Sequence, residues 1–274
     1  MPETLREFNF YFFGFLISLS LGSFYVTLAE RILQIFYSPE RKRYSNTQKW
    51  KELLTKPSSC NHCGKRIPIN SLVPVFGYFY SLKQCRYCHY QIPFHYPLTE
   101  LGFGLFFLLT FYLSRSFFFG LSCTLLLGHL YISMYTDWKK FSLDYENLPF
   151  IFLFGTIANY FFGEEPFGLL RVYVFAGFLI FFLALYLLYP KGIGLGDVIF
   201  APVFAYLAGH PWWMLFLNAS YITALLVSFV LRDKTKVFRK TAIPMGFYFS
   251  LALILVYIAK SAYSYNLLPT LLLP

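Results

Sequence analysis

"FNFYFFGFLISLSLGSFYVTLAERI", residues 8–32, is apolar along nearly its whole length. It exceeds the roughly 7–15 apolar residues of a signal-peptide core, and Glu3 and Glu7 precede or open it. It reads as a retained membrane span over about residues 9–35 rather than a cleaved signal. Composition extends that reading to the whole chain. Hydrophobic residues make up 57% and charged residues 13%, against about 25% charged in a soluble domain. Further apolar segments fall at 97–114, 116–136, 148–162, 167–189, 198–209, 211–231 and 242–264. The expected fold is therefore an all-α polytopic membrane protein of about eight transmembrane helices, the segments 148–162 and 198–209 being short enough to lie tilted or half-buried. Three parts follow: a first transmembrane helix over 1–35, a polar insert over 36–96 and a membrane core over 97–274.

The net charge of +10 could suggest nucleic acid, but the positions of the basic residues point to topology. Residues 36–96 carry ten Lys and Arg, and Lys139, Lys140, Lys191 and five bases in "RDKTKVFRKT" bring that side to eighteen. The opposite side has Arg6, Arg115, Arg171 and Lys260 together with the acidic "GEEP", and Arg31 lies at a helix end. The positive-inside rule places the eighteen in the cytoplasm and both termini outside. A basic inner face also suits anionic lipid. Binding of nucleic acid is not expected.

The insert is too small for a large core and needs a staple. "CNHC" supplies Cys60 and Cys63, "CRYC" supplies Cys85 and Cys88, and 21 residues separate the pairs. Two such knuckles complete a tetrahedral four-thiolate site suited to zinc. The reducing cytosol disfavours a pair of disulfides there. Four thiolates leave no position for water, so the expected Zn2+ is structural. His62 and His89 read as exposed loop residues, and Cys123 as a small apolar packer.

The chain has four aspartates, Asp137, Asp144, Asp197 and Asp233, all expected at the cytoplasmic face. Asp233 lies among five bases, and Asp144 lies mid-loop beside Glu146. Asp137 and Asp197 instead abut membrane helices: Asp137 follows "HLYISMYT", and Asp197 precedes "VIFAPVFAYLAG". Desolvation at such a boundary favours the neutral carboxyl. Two carboxyls held close divide the roles, one keeping a proton while the other acts as base, the split an acid–base hydrolysis requires. Gly194 and Gly196 would let a substrate backbone lie against the turn and allow a sharp entry into the next helix. Asp197 would then sit at a helix N-terminus, where the dipole favours the anion. Which aspartate is the base stays open at this level.

These residues resemble the prepilin peptidases, the type IV leader peptidases of the GxGD class of membrane aspartic proteases. The resemblance runs over about residues 22–250. It is carried by "GSFYVTLAERI" with Arg31, by the two CxxC pairs flanking "NSLVPVFGYFYSLKQ", by "IPFHYPLTEL" with Glu100, by "YTDWKK", by "GLGD" and by "AIPMGFYFSLAL". It implies catalytic aspartates at Asp137 and Asp197 and cleavage of the basic leader from prepilins or pseudopilins at the cytoplasmic face of the bacterial inner membrane. N-methylation of the new N-terminus with S-adenosylmethionine is also implied, because the four-cysteine insert accompanies the bifunctional enzymes. Glu100 then either takes part in methyl transfer or substrate binding, or only caps its helix or pairs with a base.

Two departures are visible. Ile199 stands where the family usually has a lysine, and the proline after the first aspartate is postponed to Pro149, which keeps Asp144 as an alternative partner. The missing lysine also leaves a second reading: a zinc-stapled membrane scaffold for pilus or secretion machinery, without catalysis.

Overall fold

All eight apolar segments are helical in the computed structural model, which describes residues 3–38, 45–190, 192–230 and 243–264. In chain order the helices are α1 (Glu3–Phe36), α2 (Asn46–Thr55), α3 (Phe76–Tyr80), α4 (His95–Ser114), α5 (Phe117–Lys140), α6 (Leu148–Phe161), α7 (Leu169–Leu188), α8 (Leu195–Ala208), α9 (Trp213–Val230) and α10 (Met245–Ser264). Six of them, α1, α4, α5, α7, α9 and α10, are long and apolar enough to cross a membrane. The remaining two of the expected eight, α6 and α8, have 14 residues each. At about 1.5 Å per residue they reach about 21 Å, against a hydrocarbon thickness of about 30 Å. Lys191 and the basic run over 232–240, with Asp233, lie outside the described residues.

The chain forms two compact units, residues 1–108 and 109–274, which divide within α4. In the first, α1 and α4 approach through glycines. A Cβ on Gly14 would lie 2.1 Å from the Phe107 ring, one on Gly104 2.5 Å from Phe15, and one on Gly22 2.9 Å from the Glu100 backbone. Small residues of this kind let membrane helices come close enough for van der Waals attraction to hold them. The Ser45 hydroxyl and the Gln48 amide form a reciprocal cap that starts α2. Arg31 donates to the Leu53 carbonyl of that helix at 3.0 Å.

In the second unit the short helix α8 is the most enclosed. Phe200, Ala201, Phe204, Ala205, Leu207 and Ala208 are all buried, on every side of the helix. A helix apolar all round belongs inside a bundle, and α8 lies against α6, α7, α9 and α10. Phe182, Phe204, Phe216 and Phe249 form its aromatic packing layer. Helices α7 and α9 leave most of their apolar surface outward, only 17% of each span being buried.

Charge is buried where the C-terminal ends of α6, α8 and α10 meet the start of α7. Arg171 donates to the Tyr206 and Leu207 carbonyls at 2.8 and 3.2 Å and pairs with Glu164. Lys260, fully buried, reaches Glu164 at 2.8 Å and Asn159 at 3.3 Å. Asn159 donates in turn to the Leu207 carbonyl at 3.0 Å. Two of the four bases counted on the outward side are thus internal, both paired with Glu164 of the "GEEP" loop.

Candidate active site and metal centre

The sequence PMG before "FYFSLAL" becomes the N-terminus of α10, with Pro244 just ahead of the helix. Its free amides have no intrahelical acceptor, and they meet Asp137. The Phe247 N–H donates to Asp137 Oδ2 at 3.0 Å, with the Gly246 amide alongside. Asp137 is buried at the start of the last turn of α5, which ends at Lys140.

Asp197 is the third residue of α8 after the cap Gly194. Its carboxylate accepts the Gly194 N–H at 3.3 Å. It and Asp137 come from helices 60 residues apart in sequence, yet are close enough for their charges to act on each other. Asp197 also lies within electrostatic reach of Tyr145 and Tyr221. Burial pushes the Tyr145 phenol up, and the Asp197 charge adds to that. Among the described residues neither aspartate has an ion pair.

The glycines do work that the sequence does not disclose. Gly194 has φ −76°, a conformation open to any residue, and its visible part is the amide given to Asp197. A Cβ on Gly196 would sit 3.2 Å from Leu143, and one on Gly246 2.4 Å from the same side chain. Leu143 therefore fills the space between the N-termini of α8 and α10, the two helix ends that carry or hold the aspartates.

Asp144, the alternative partner, accepts the Glu146 N–H at 3.2 Å and starts the turn Tyr145–Asn147. Burial pushes its carboxyl up as well, so position rather than titration distinguishes it. That turn is anchored by Asn147, which bonds His129 Nδ1 at 2.6 Å, the His129 carbonyl at 2.7 Å and Ser133 Oγ at 3.1 Å. Leu143, Asn147 and the α10 amides were not read from the sequence. The proline before α10 was the visible signal for the amides, as a helix-start marker. The others depend on which loops meet.

In the first unit the two knuckles repeat each other 25 residues apart. Cys60 and Cys85 donate backbone N–H groups to Lys65 and Tyr90, and accept from Gly64 and His89, all at 2.9 Å. Gly64 and His89 occupy the same left-handed turn position, at φ 70° and 56°. Both His62 and His89 are exposed, as expected, and His62 stacks on Tyr90.

The four sulfurs lie within 4.8 Å of one another, with Cys60–Cys88 at 3.8 Å and Cys63–Cys85 at 3.9 Å. Four sulfurs about 2.3 Å from one tetrahedral ion would stand about 3.8 Å apart. The cysteines are free rather than paired. Backbone N–H groups of Tyr87 and Cys88 hold the Cys85 thiol down to about 6, while desolvation and the neighbouring cysteines push the Cys88 thiol up to about 12. The four sulfurs offer a tetrahedral ligand set that fits a metal such as zinc.

Glu100 is buried in the second turn of α4. It accepts the Val75 N–H at 2.6 Å and a bond from Ser23. Val75, a β-branched residue at φ 61°, is held in a conformation that costs free energy. Glu100 thus ties the insert to its helix rather than capping the helix end.

Two family models match this chain. The Bacterial Peptidase A24 N-terminal domain covers residues 16–114, with the four cysteines and Glu100. The Type IV leader peptidase family covers residues 124–229, with Asp137 and Asp197. Comparison with curated proteins and with solved structures gives no match.

Proposed function

The chain belongs to the type IV leader peptidase family, and from that premise we propose that Asp137 and Asp197 are the catalytic pair that cuts the leader from prepilins or pseudopilins at the cytoplasmic face of the bacterial inner membrane. What carries this reading is one observation: the buried Asp137 and the half-buried Asp197, from distant helices, lie within electrostatic reach, with no counter-cation paired to either among the described residues.

The bonding divides the roles. Asp137, with the Phe247 and Gly246 amides, is the better-stabilised anion and serves as base. Asp197, with one longer amide bond, keeps the shared proton. Asp137 takes a proton from a water molecule as the water oxygen attacks the scissile carbonyl. Asp197 donates a hydrogen bond to that carbonyl, and its proton goes on to the leaving amine as the C–N bond breaks. Ile199, two residues on from Asp197, adds no cation to this site. The scaffold reading has no support beyond that missing lysine.

Zinc on the four thiolates would fold the insert, and the new N-terminus would then be methylated with S-adenosylmethionine. The test is mass spectrometry of a leader-bearing client incubated with the purified protein. A cut at the leader junction is expected, and an added methyl group reports the second activity. Wild-type processing by both Asp137→Asn and Asp197→Asn would refute the pair. Metal analysis checks the insert: one zinc per chain is expected, lost in Cys63→Ser together with protease resistance of residues 45–94.

A further inference from the structure

The four-cysteine insert turns apolar side chains outward. Ile69, Phe76, Phe79, Tyr80 and Leu82 are each more than half exposed. Phe76, Phe79 and Tyr80 share one face of the short helix α3, at i, i+3 and i+4. On its other side Gly77 is buried so closely that a Cβ there would lie 2.3 Å from the Ser71 carbonyl oxygen. The face that should be buried in a soluble domain is therefore the exposed one. Soluble surfaces rarely gather so many large apolar groups, whereas a helix lying in a membrane interface does.

Two contacts set the depth of this face. The Val75 N–H, at the start of α3, donates to Glu100 Oε2 at 2.6 Å. The Tyr78 ring meets the Phe94 ring edge-on at 6.1 Å. Phe94 immediately precedes α4, and Glu100 is the sixth residue of that helix. The 20 residues of α4 reach about 30 Å, the thickness of the hydrocarbon core. Helix α3 is thus pinned beside the first turns of a spanning helix, at the level where the bilayer begins. A soluble partner could not reach a face held there without displacing lipid. The charge agrees. Residues 53–99 contain no Asp or Glu and five Lys and Arg, and they stay basic even after the two negative charges of a zinc ion on four thiolates. Lys83 follows Leu82, and Arg86 lies over the Tyr80 ring at 5.2 Å, so bases stand at the rim of the apolar face. Cations beside an interfacial apolar face meet anionic headgroups.

We propose that the insert is a membrane-dipping element: the α3 face, with Leu82 at its end, enters the nearer leaflet, and Lys83 and Arg86 bind anionic phospholipid headgroups. The bond from Val75 to Glu100 is the tether that holds the face at this depth. The proposal is independent of the peptidase chemistry.

The test uses the full-length zinc-loaded protein in nanodiscs of phosphatidylcholine and phosphatidylglycerol. The photo-cross-linker p-benzoylphenylalanine replaces Phe79 or Leu82, and mass spectrometry after irradiation identifies what each position touches. Adducts with one phospholipid are expected at both, with phosphatidylglycerol enriched about tenfold over its share of the disc. Lys83→Gln combined with Arg86→Gln should lower that enrichment severalfold while lipid adducts persist. Zinc content of each variant checks that the insert is folded. Cross-links to a second chain, or no lipid adduct in a zinc-replete protein, would overturn the proposal. So would replacement of the lipid adduct by one to an added leader-bearing peptide. Lipid adducts in the proportions of the disc would overturn the headgroup assignment. Asp137→Asn should give the same adducts as the wild type, which separates this result from the fate of the peptidase reading.

Discussion

The second unit buries ionisable side chains in two places, on opposite plans. In the first, a clasp at the C-terminal end of α8, Glu164 is set against Arg171 and Lys260, and the remaining donors find the Glu165, Tyr206 and Leu207 carbonyls or the Asn159 amide oxygen. At the other end of α8, Asp137 and Asp197 are set against each other, with backbone amides as their partners. Opposite charges buried together cancel, and removing one strands the rest. Like charges buried together cannot both ionise easily, so they share a proton. The first arrangement joins four helices; the second works against folding and is understandable as chemistry. One 14-residue helix links them, its C-terminal carbonyls held by Arg171 and its third residue being Asp197.

Breaking the dyad should have the largest effect. Asp137→Asn or Asp197→Asn is expected to lower the rate of leader cleavage by about a hundred- to ten-thousandfold, with thermal unfolding in detergent unchanged or shifted upward. A large drop in melting temperature instead would make the pair structural and erase the contrast.

Breaking the clasp should do the converse. Glu164→Gln leaves Arg171 and Lys260 without their carboxylate and should cost about 3–5 kcal/mol, read as an earlier thermal transition. Cleavage per folded molecule should stay at the wild-type level. Loss of activity without loss of stability would mean that the two ends of α8 are coupled.

The wedge between the aspartate-bearing helix ends gives a smaller effect. Gly246→Ala forces a Cβ onto Leu143 and should cost about 1–3 kcal/mol by overpacking, with reduced cleavage. Adding Leu143→Ala should recover most of the lost activity. Failure of that rescue would assign the harm to α10 itself.

Smallest is Asn147→Ala. It removes the hydrogen bonds of Asn147 to His129 and Ser133 and should cost about 1–3 kcal/mol. Because Asn147 supports the turn that positions Tyr145 and Leu143, the fall in cleavage should be well below that of either aspartate variant. An effect as large as theirs would place the turn inside the chemistry.

Much of this was legible in the chain. The helical segments follow from uninterrupted apolar runs, because lipid obliges each run to satisfy its own backbone. The knuckles follow from CxxC spacing, since each such turn presents two thiolates to one point. Asp137 and Asp197 stood out because a carboxylate beside a membrane helix is costly. The glycines were only half-read: Gly196 and Gly246 both face Leu143, a contact between three segments that no local pattern encodes. Arg171 and Lys260 were counted as outward-facing bases, because a charge count along the chain carries no information about an acid that meets them in space, such as Glu164.

By itself, then, the sequence determined what is local: helices, knuckles, helix starts, and acids in expensive places. Tertiary structure alone decided which of those groups meet: amides of α10 with Asp137, Asp137 with Asp197, Val75 with Glu100, Glu164 with two cations. The reason is physical. Propensity and hydrophobic pattern act over a few residues, whereas electrostatic pairing depends on distances in space, which exist only once the helices have packed.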